Sequence, residues 1–182
     1  MIAGSLKGRR LETPTWDGLR PTSDKLRETL FNILALRMDG ARVLDGYAGT
    51  GAVGIEALSR GAARVTFVEQ DRRAEALIAG NLAHCGLTEG YAIIRASATR
   101  ALADLSAKDA AFDLILLDPP YGEHDDHIAA VLAQAAGVVA PGGVIVLEHA
   151  RTRPAPASAG RLARTRDVTS GDSALAFYAC PP

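Results

Sequence analysis

The sequence predicts an α/β fold: a mostly parallel, doubly wound sheet with helices on both faces, closed by an antiparallel C-terminal hairpin. Between residues 42 and 148, short apolar segments alternate with longer segments of helical periodicity, which is typical of βαβ units. The runs Leu114–Leu117 and Val144–Leu147 are apolar without alternation, as expected for strands that are buried on both sides. Two further strand-like segments flank the turn Thr169–Ser173 and predict the hairpin.

The first 38 residues precede this repeat and differ from it. Met1–Leu11 alternates apolar and polar residues around two glycines, which predicts a small basic β-hairpin, and Thr13–Arg20 predicts a loop. Apolar residues at helical spacing predict a helix that is capped by Thr22 or Ser23 and ends near Met38.

The βα repeat forms the body of the predicted domain. Its seven strands are Arg42–Asp45, Arg64–Glu69, Tyr91–Arg95, Phe112–Asp118, Val144–Glu148, Arg161–Val168 and Ala174–Cys180. The helices between them are Thr50–Arg60, Arg72–Cys85, Thr99–Ser106 and Asp125–Val139, and the Pro/Ala-rich segment 151–160 is a loop. We therefore divide the chain into a basic N-terminal arm, residues 1–22, and a main domain, residues 23–182.

Charge is distributed unevenly along a chain whose net charge is only −1. Residues 1–37 carry a net +3, residues 38–150 a net −7 and residues 151–182 a net +3. The N-terminal positive charges cluster around Gly, Pro and Trp, which favours contact with a polyanion, whereas the C-terminal charges are expected to be solvated surface. The candidate polyanion-binding residues are Lys7, Arg9, Arg10, Arg20, Lys25 and Arg27, with Trp16 either stacking on a base or packing on the first helix.

Several classes of protein are disfavoured. Cys85 and Cys180 form no disulfide framework, no histidine or cysteine has metal-ligand spacing, and no signal peptide is visible, so we expect a metal-free cytoplasmic protein. The uncharged stretch Ile128–Leu147 is long enough to suggest a membrane span, but Pro141-Gly142-Gly143 divides it into a helix and a strand. A monomer is the default expectation.

A glycine-rich loop follows the first strand of the repeat. It reads Asp45-Gly46-Tyr47-Ala48-Gly49-Thr50-Gly51 and continues to Gly54, which formally matches the dinucleotide fingerprint. However, a carboxylate at Asp45 would repel a pyrophosphate and would instead suit a cationic group, such as the amino group of S-adenosylmethionine. The helix N-terminus after Thr50 could then receive the carboxylate of that cofactor.

The next two strands also end in polar residues. Glu69 could bridge both hydroxyls of a ribose, and Gln70 follows it. After the third strand, Ser97 stands where an acid commonly meets the adenine amine of such a cofactor, and backbone groups at Ala98 could help. Ser97 could equally be a helix N-cap without any role in binding.

The most informative motif is Asp118-Pro119-Pro120-Tyr121, which follows the buried strand Phe112–Leu117. Prolines carry no N–H group and have fixed φ angles, so the loop is stiff and rich in hydrogen-bond acceptors. Such a loop beside an aromatic ring is suited to holding a planar base by its exocyclic amine. We hypothesise that Asp118 and the carbonyl of Pro119 accept the two amine hydrogens while Tyr121 stacks on the base.

These motifs occur together in a known family. The segments that carry the resemblance are Ile2-Ala3-Gly4…Lys7-Gly8-Arg9, Arg20-Pro21-Thr22…Lys25…Arg27-Glu28…Leu30-Phe31-Asn32-Ile33-Leu34 and Glu56-Ala57-Leu58-Ser59-Arg60-Gly61-Ala62. With the glycine loop and the Asp-Pro-Pro-Tyr motif, the chain resembles the RsmD family of bacterial 16S rRNA guanine-N2 methyltransferases. The resemblance extends over nearly the whole chain and implies the Rossmann-like class I methyltransferase fold.

The resemblance also implies a cofactor, a partner and site residues. The implied donor is S-adenosylmethionine, and the implied acceptor is a guanine of 16S rRNA in the small ribosomal subunit or its assembly intermediate. The candidate catalytic residues are Asp118, Pro119 and Tyr121. The candidate cofactor-binding residues are Asp45, Gly46, Gly49, Gly51, Glu69, Gln70, Ser97, Ala98 and Thr22.

Three other functions remain open at this point. The same acidic-proline motif is found in adenine-N6 DNA methyltransferases, and a related motif with asparagine is found in enzymes that methylate a glutamine amide of release factors. A non-catalytic RNA-binding assembly factor could retain the fold, although Asp45, Glu69 and Asp118 are all present. An NAD-dependent oxidoreductase is disfavoured, because no acid–base pair for hydride transfer is visible.

Overall fold

The computed structural model describes residues 1–16, 24–120 and 122–181. The α-helices of this part of the chain are α1 Asp24–Ile33, α2 Ala52–Ser59, α3 Arg72–His84, α4 Ala98–Ser106 and α5 Asp125–Ala135, with a short 3₁₀ helix at Ala35–Arg37. The strands are β1 Arg42–Asp45, β2 Arg64–Glu69, β3 Tyr91–Arg95, β4 Phe112–Leu117, β5 Val139–Ala150, β6 Ser158–Ala159, β7 Leu162–Ser170 and β8 Ser173–Ala179.

The strands form a single sheet in the order β3-β2-β1-β4-β5-β8-β7-β6. The five strands from β3 to β5 are parallel, and β8, β7 and β6 follow, each antiparallel to the strand before it in this order. The last residue of β1, Asp45, is in register with Phe67 of β2 and Leu116 of β4. The loops that follow these three strands therefore begin side by side at the carboxyl edge of the sheet, where ligands bind in folds of this type. The predicted fold class is confirmed.

Helices cover both faces of the sheet, as the continuous apolar runs predicted. On one face, α1, α2 and α3 pack on the sheet through Phe31, Ile55, Ile78, Val43, Leu116 and their neighbours. On the other face, α4 and α5 pack on it through Leu102, Leu132, Ile115, Leu147 and their neighbours. The buried Tyr178 of β8 belongs to the second cluster, and its hydroxyl donates a hydrogen bond to the carbonyl of Pro156 at 2.8 Å.

The sheet has eight strands, whereas the sequence predicted seven in the main domain. The additional strand, β6, lies in the segment that was predicted to be a loop, and it pairs with the first two residues of β7. Gly160, with φ of 57°, provides the tight turn between them. The first helix is also shorter than predicted: it ends at Ile33 and is followed by the 3₁₀ turn rather than continuing to Met38.

The predicted β-hairpin at Met1–Leu11 is wrong, because this segment forms successive turns that dock on α2. The backbone N–H groups of Ile2 and Ala3 donate to the buried carboxylate of Glu56, both at 2.9 Å, instead of to a partner strand. Gly4 has φ of 78°, and a Cβ there would lie 1.8 Å from the carbonyl oxygen of Ser59. Contact with α2 therefore determines the path of this segment.

Candidate active site

The glycine loop after β1 is tightly packed, and its glycines are needed for different reasons. Gly49 and Gly51 have φ of 54° and 79°, a conformation that favours glycine. A Cβ on Gly46 would lie 2.6 Å from a methyl carbon of Leu117, at the end of β4. The loop therefore lies directly against the strand that precedes the Asp-Pro-Pro motif.

Asp45 lies at the base of this loop and is buried. Its Oδ2 accepts a hydrogen bond from the backbone N–H of Gly54 in the first turn of α2, at 2.9 Å. Burial raises the pKa of Asp45 to about 7; the hydrogen bond from Gly54 opposes this shift, and the carboxylates of Asp118 and Glu69 add to it. A cation that enters beside Asp45 would therefore favour its ionised form.

Glu69, at the end of β2, supports the loop from the adjacent strand. Its Oε2 accepts a hydrogen bond from the N–H of Gly49 at 2.9 Å, and its Oε1 accepts one from the N–H of Asp71 at 2.8 Å. A carboxylate has about four acceptor positions, so Glu69 can hold these two backbone groups and still bind hydroxyl groups. Gln70 is exposed beside it.

Ser97 is the N-cap of α4, and Ala98 is the first residue of that helix. The Ser97 hydroxyl accepts a hydrogen bond from the N–H of Arg100 at 3.3 Å and also contacts the hydroxyl of Thr99. Ala98 is buried. The capping interpretation of Ser97 is therefore observed, and contact with an adenine amine stays a prediction for both residues.

The Asp-Pro-Pro motif forms the corner after β4. Asp118 is half-buried, Pro119 is buried and Pro120 is exposed. The two prolines line a cavity together with the end of β5, residues 147–150, and the loop at residues 153–156. The backbone N–H of Gly46 donates a hydrogen bond to the carbonyl of Leu116 at 2.8 Å, so the glycine loop is joined to the strand that leads into Asp118. The corner and the glycine loop therefore belong to one site.

Tyr47 is a member of this site that the sequence analysis did not include. It is half-buried within the glycine loop, and among the described residues its hydroxyl has no hydrogen-bond partner. Burial raises the pKa of Tyr47 to about 12, and the nearby carboxylate of Glu123 adds to this shift. The signal in the sequence is the single aromatic residue in a loop of otherwise small residues.

The predicted RNA-binding residues differ in their surroundings. Lys7, Arg9, Arg10 and Lys25 are exposed. Arg27 is buried in α1 and forms an ion pair with Asp24 at 2.8 Å, so its guanidinium is withdrawn from the surface that the prediction required. The guanidinium of Arg73 on α3 lies over the ring of Trp16, 4.9 Å from the ring centroid.

Three predicted site residues, Arg20, Thr22 and Tyr121, lie outside the part of the chain that the structure describes. Within that part, there is no group of three or more His, Cys, Asp or Glu side chains that could hold a metal ion. No helix in the same ranges is long and apolar enough to cross a membrane.

Comparisons with known proteins place this arrangement in a family. The family described as Conserved hypothetical protein 95 matches residues 1–179. YlbH of Bacillus subtilis strain 168 is 38% identical over 178 residues, which are 98% of this chain and 97% of that protein. Ribosomal RNA small subunit methyltransferase D of Escherichia coli K12 is 35% identical over 178 residues, which are 98% of this chain and 88% of that enzyme.

Solved structures agree with this assignment. A hypothetical protein of Thermus thermophilus superposes with a TM-score of 0.83 at 30% identity, covering 97% of this chain and 96% of that one. The family resemblance inferred from the sequence motifs is confirmed, because both the family match and the relatives extend over nearly all residues. The chain belongs to the family described as Conserved hypothetical protein 95 and shares it with relatives named ribosomal RNA small subunit methyltransferase D.

Proposed function

We propose that this protein transfers a methyl group from S-adenosylmethionine to the exocyclic N2 amine of a guanine in 16S rRNA. One observation carries the proposal: an acceptor-rich, proline-stiffened corner adjoins a glycine loop built around the buried carboxylate of Asp45. The first feature suits an amine that must lose a proton, and the second suits a cationic cofactor. The names of the relatives, which specify rRNA of the small subunit, support the choice of acceptor.

The residues of the glycine loop fit this cofactor. The Asp45 carboxylate can pair with an ammonium group, and the N-cap of α2 is Gly51, which offers no side-chain cap to the N–H groups of the first turn. The N-terminus of a helix carries partial positive charge and binds carboxylates. Glu69 can receive the ribose hydroxyls. When it is bound, the cofactor supplies a methyl group made electrophilic by the adjacent sulfonium.

The Asp-Pro-Pro corner acts on the acceptor. The lone pair of guanine N2 is delocalised into the ring, so the nitrogen must be held in an orientation that makes this pair available. Asp118 and the carbonyl of Pro119 would accept hydrogen bonds from the two N–H groups of the amine and stabilise the positive charge that develops on it, and the Asp118 carboxylate would take up the proton that the methylated amine loses. Orientation of this kind can contribute as much as about 7–11 kcal/mol in ideal cases.

The acceptor base must leave the folded RNA to reach the corner. We propose that the exposed Lys7, Arg9, Arg10 and Lys25 bind phosphates around it, and that the protein acts in the cytoplasm as a monomer. If RNA is bound through four such contacts, log Kd for RNA should rise with log salt concentration with a slope of about 3–4. A flat salt response measured by filter binding would contradict this role for the N-terminal segment.

The central test is the variant Asp118→Asn. It keeps the shape of the side chain but replaces one acceptor by a donor, so single-turnover methylation of 16S rRNA should fall by about 100-fold or more. Binding of S-adenosylhomocysteine, measured by calorimetry, should be almost unchanged. The matched control is Asp109→Asn, at an exposed turn residue with φ of 52°, where Asn is well tolerated.

The acceptor is identified in the same assay. Labelled donor is incubated with small ribosomal subunits from cells lacking the protein, with DNA and with release factor, and the modified nucleotide is mapped by mass spectrometry. N2-methylguanosine in 16S rRNA supports the proposal. Methylation of DNA or of a glutamine amide instead would overturn the choice of acceptor, and full activity of Asp118→Asn would overturn the role of Asp118.

A further inference from the structure

The chain before α1 runs along α3 from the end of that helix to its beginning. We define residues 9–16 as the N-terminal strap. The guanidinium of Arg9 donates a hydrogen bond to the carbonyl of His84, the last residue of α3, at 3.1 Å. At the other end of the strap, the ring of Trp16 lies against Arg73 in the first turn of α3. The strap therefore extends from two exposed arginines to the carboxyl edge of the sheet.

Asn81 joins the middle of the strap to the rest of the molecule. This side chain of α3 is completely buried. Its Oδ1 accepts a hydrogen bond from the N–H of Glu12 at 2.8 Å, and its Nδ2 donates one to the carbonyl of Glu12 at 3.2 Å. The same Nδ2 donates a second hydrogen bond to the carbonyl of Thr50, at 2.9 Å. Both donors and the acceptor of the amide are therefore in use.

Thr50 belongs to the glycine loop, so Asn81 connects the strap to the proposed cofactor site. The residue after Thr50 is Gly51, the N-cap of α2. One turn before Asn81 on α3, Ile78 packs on the same loop so closely that a Cβ on Gly51 would lie 3.3 Å from it. The position of the loop is thus determined from α3 by one apolar contact and one buried amide.

We propose that Asn81 is a positioning residue that couples RNA binding by the strap to cofactor binding by the glycine loop. The inference rests on the proposed function, because it takes RNA as the ligand of Arg9 and Arg10. RNA that holds the strap in its observed position also holds the Thr50 carbonyl through Asn81, and the cofactor then meets a loop that is already ordered. By linkage, the cofactor must increase the affinity for RNA by the same factor.

The first experiment measures cofactor affinity without RNA. In Asn81→Ala the loop loses its hydrogen bond from α3, and we expect the Kd for S-adenosylhomocysteine, measured by calorimetry, to rise about tenfold. The matched control is Asn32→Ala, the same change at an exposed position of α1. An unchanged Kd in a folded Asn81→Ala protein would overturn the positioning role.

The second experiment measures the coupling itself. The Kd for S-adenosylhomocysteine is determined with and without saturating small ribosomal subunits from cells lacking the protein, and the ratio of the two values is the coupling factor. We expect a factor of about 5 or more for the unaltered protein and about 1 for Asn81→Ala. If Asn81 had a purely structural role, Asn81→Ala would have a lower melting temperature but the same coupling factor as the unaltered protein.

A second variant approaches the contact from the strap. Glu12→Pro removes the backbone N–H that donates a hydrogen bond to Oδ1 of Asn81, and it leaves the sequence of α3 unaltered. It therefore tests the coupling even if Asn81→Ala fails to fold. We expect its coupling factor to fall towards 1 as well. A factor that stays at the unaltered value in either folded variant would overturn the inference. Absence of RNA binding by the unaltered protein would instead overturn the proposed function.

Discussion

The buried carboxylate of Asp45 predicts that cofactor affinity depends on pH. Burial raises its pKa to about 7, so in the free protein it is largely protonated at pH 6 and largely ionised at pH 8. An ammonium group binds the ionised form, and binding must therefore release a proton below pH 7. We expect the Kd for S-adenosylhomocysteine to rise about tenfold for each pH unit below about pH 7.

The measurement is calorimetry at several pH values up to about 7.5, because the amino group of the ligand itself titrates near pH 8. Repeating each titration in two buffers with different ionisation enthalpies gives the number of protons released, which should approach about one at pH 6. Asp45→Asn should bind more weakly and lose the pH dependence. A Kd that is constant between about pH 5.5 and 7.5 would refute the assignment of Asp45 as the partner of the ammonium group.

The other predictions concern stability and are checked by urea unfolding. The pKa of Asp45 is 3.8 in the unfolded chain and about 7 in the folded protein, so the folded state binds more protons between these pH values. The free energy of unfolding of the unliganded protein should therefore fall as pH rises through that window, by as much as about 4 kcal/mol. A free energy of unfolding that rises there would contradict the raised pKa of Asp45. Glu56→Ala leaves the guanidinium of Arg60 and two N-terminal N–H groups without their carboxylate and should cost about 3–5 kcal/mol; the exposed Glu89→Ala should cost almost nothing. Gly54→Ala places a methyl group 2.2 Å from an aromatic carbon of β2 and should cost about 1–3 kcal/mol, so an unchanged midpoint would mean that the helix can shift freely. Tyr47→Phe removes a buried hydroxyl that has no partner among the described residues and should stabilise the protein by about 1 kcal/mol, whereas a loss of stability would reveal a partner for that hydroxyl.

The sheet, and the carboxyl edge where the proposed cofactor site lies, could be predicted because their determinants are local. The strand that ends at Asp45 and the strand that ends at Glu69 each stop where the apolar run stops, and the parallel order then brings both acids to one edge. The glycine loop was likewise recognisable, since the left-handed residues Gly49 and Gly51 are the type that such backbone requires.

Contacts between distant residues explain the errors. The turns of the first eleven residues depend on Glu56, which is more than fifty positions from its partners Ile2 and Ala3. The alternation of apolar and polar residues in Met1–Leu11 gives no indication of this distant carboxylate. The charge of Arg27 was visible, but its burial depends on how α1 packs on the sheet. Asn81 belongs to no sequence motif, because its role depends on Glu12 and Thr50, two residues distant in sequence that both contact its side chain.

The position of β8 between β5 and β7 has a consequence for how the chain is made. β5 leaves the ribosome with one edge paired to β4 and the other edge open until β8, which follows it by more than twenty residues, has been synthesised. During that interval an apolar strand edge is available to neighbouring polypeptides, which is a recognised route to aggregation. Chains truncated before Ser173 should therefore bind chaperones more strongly than chains that include β8.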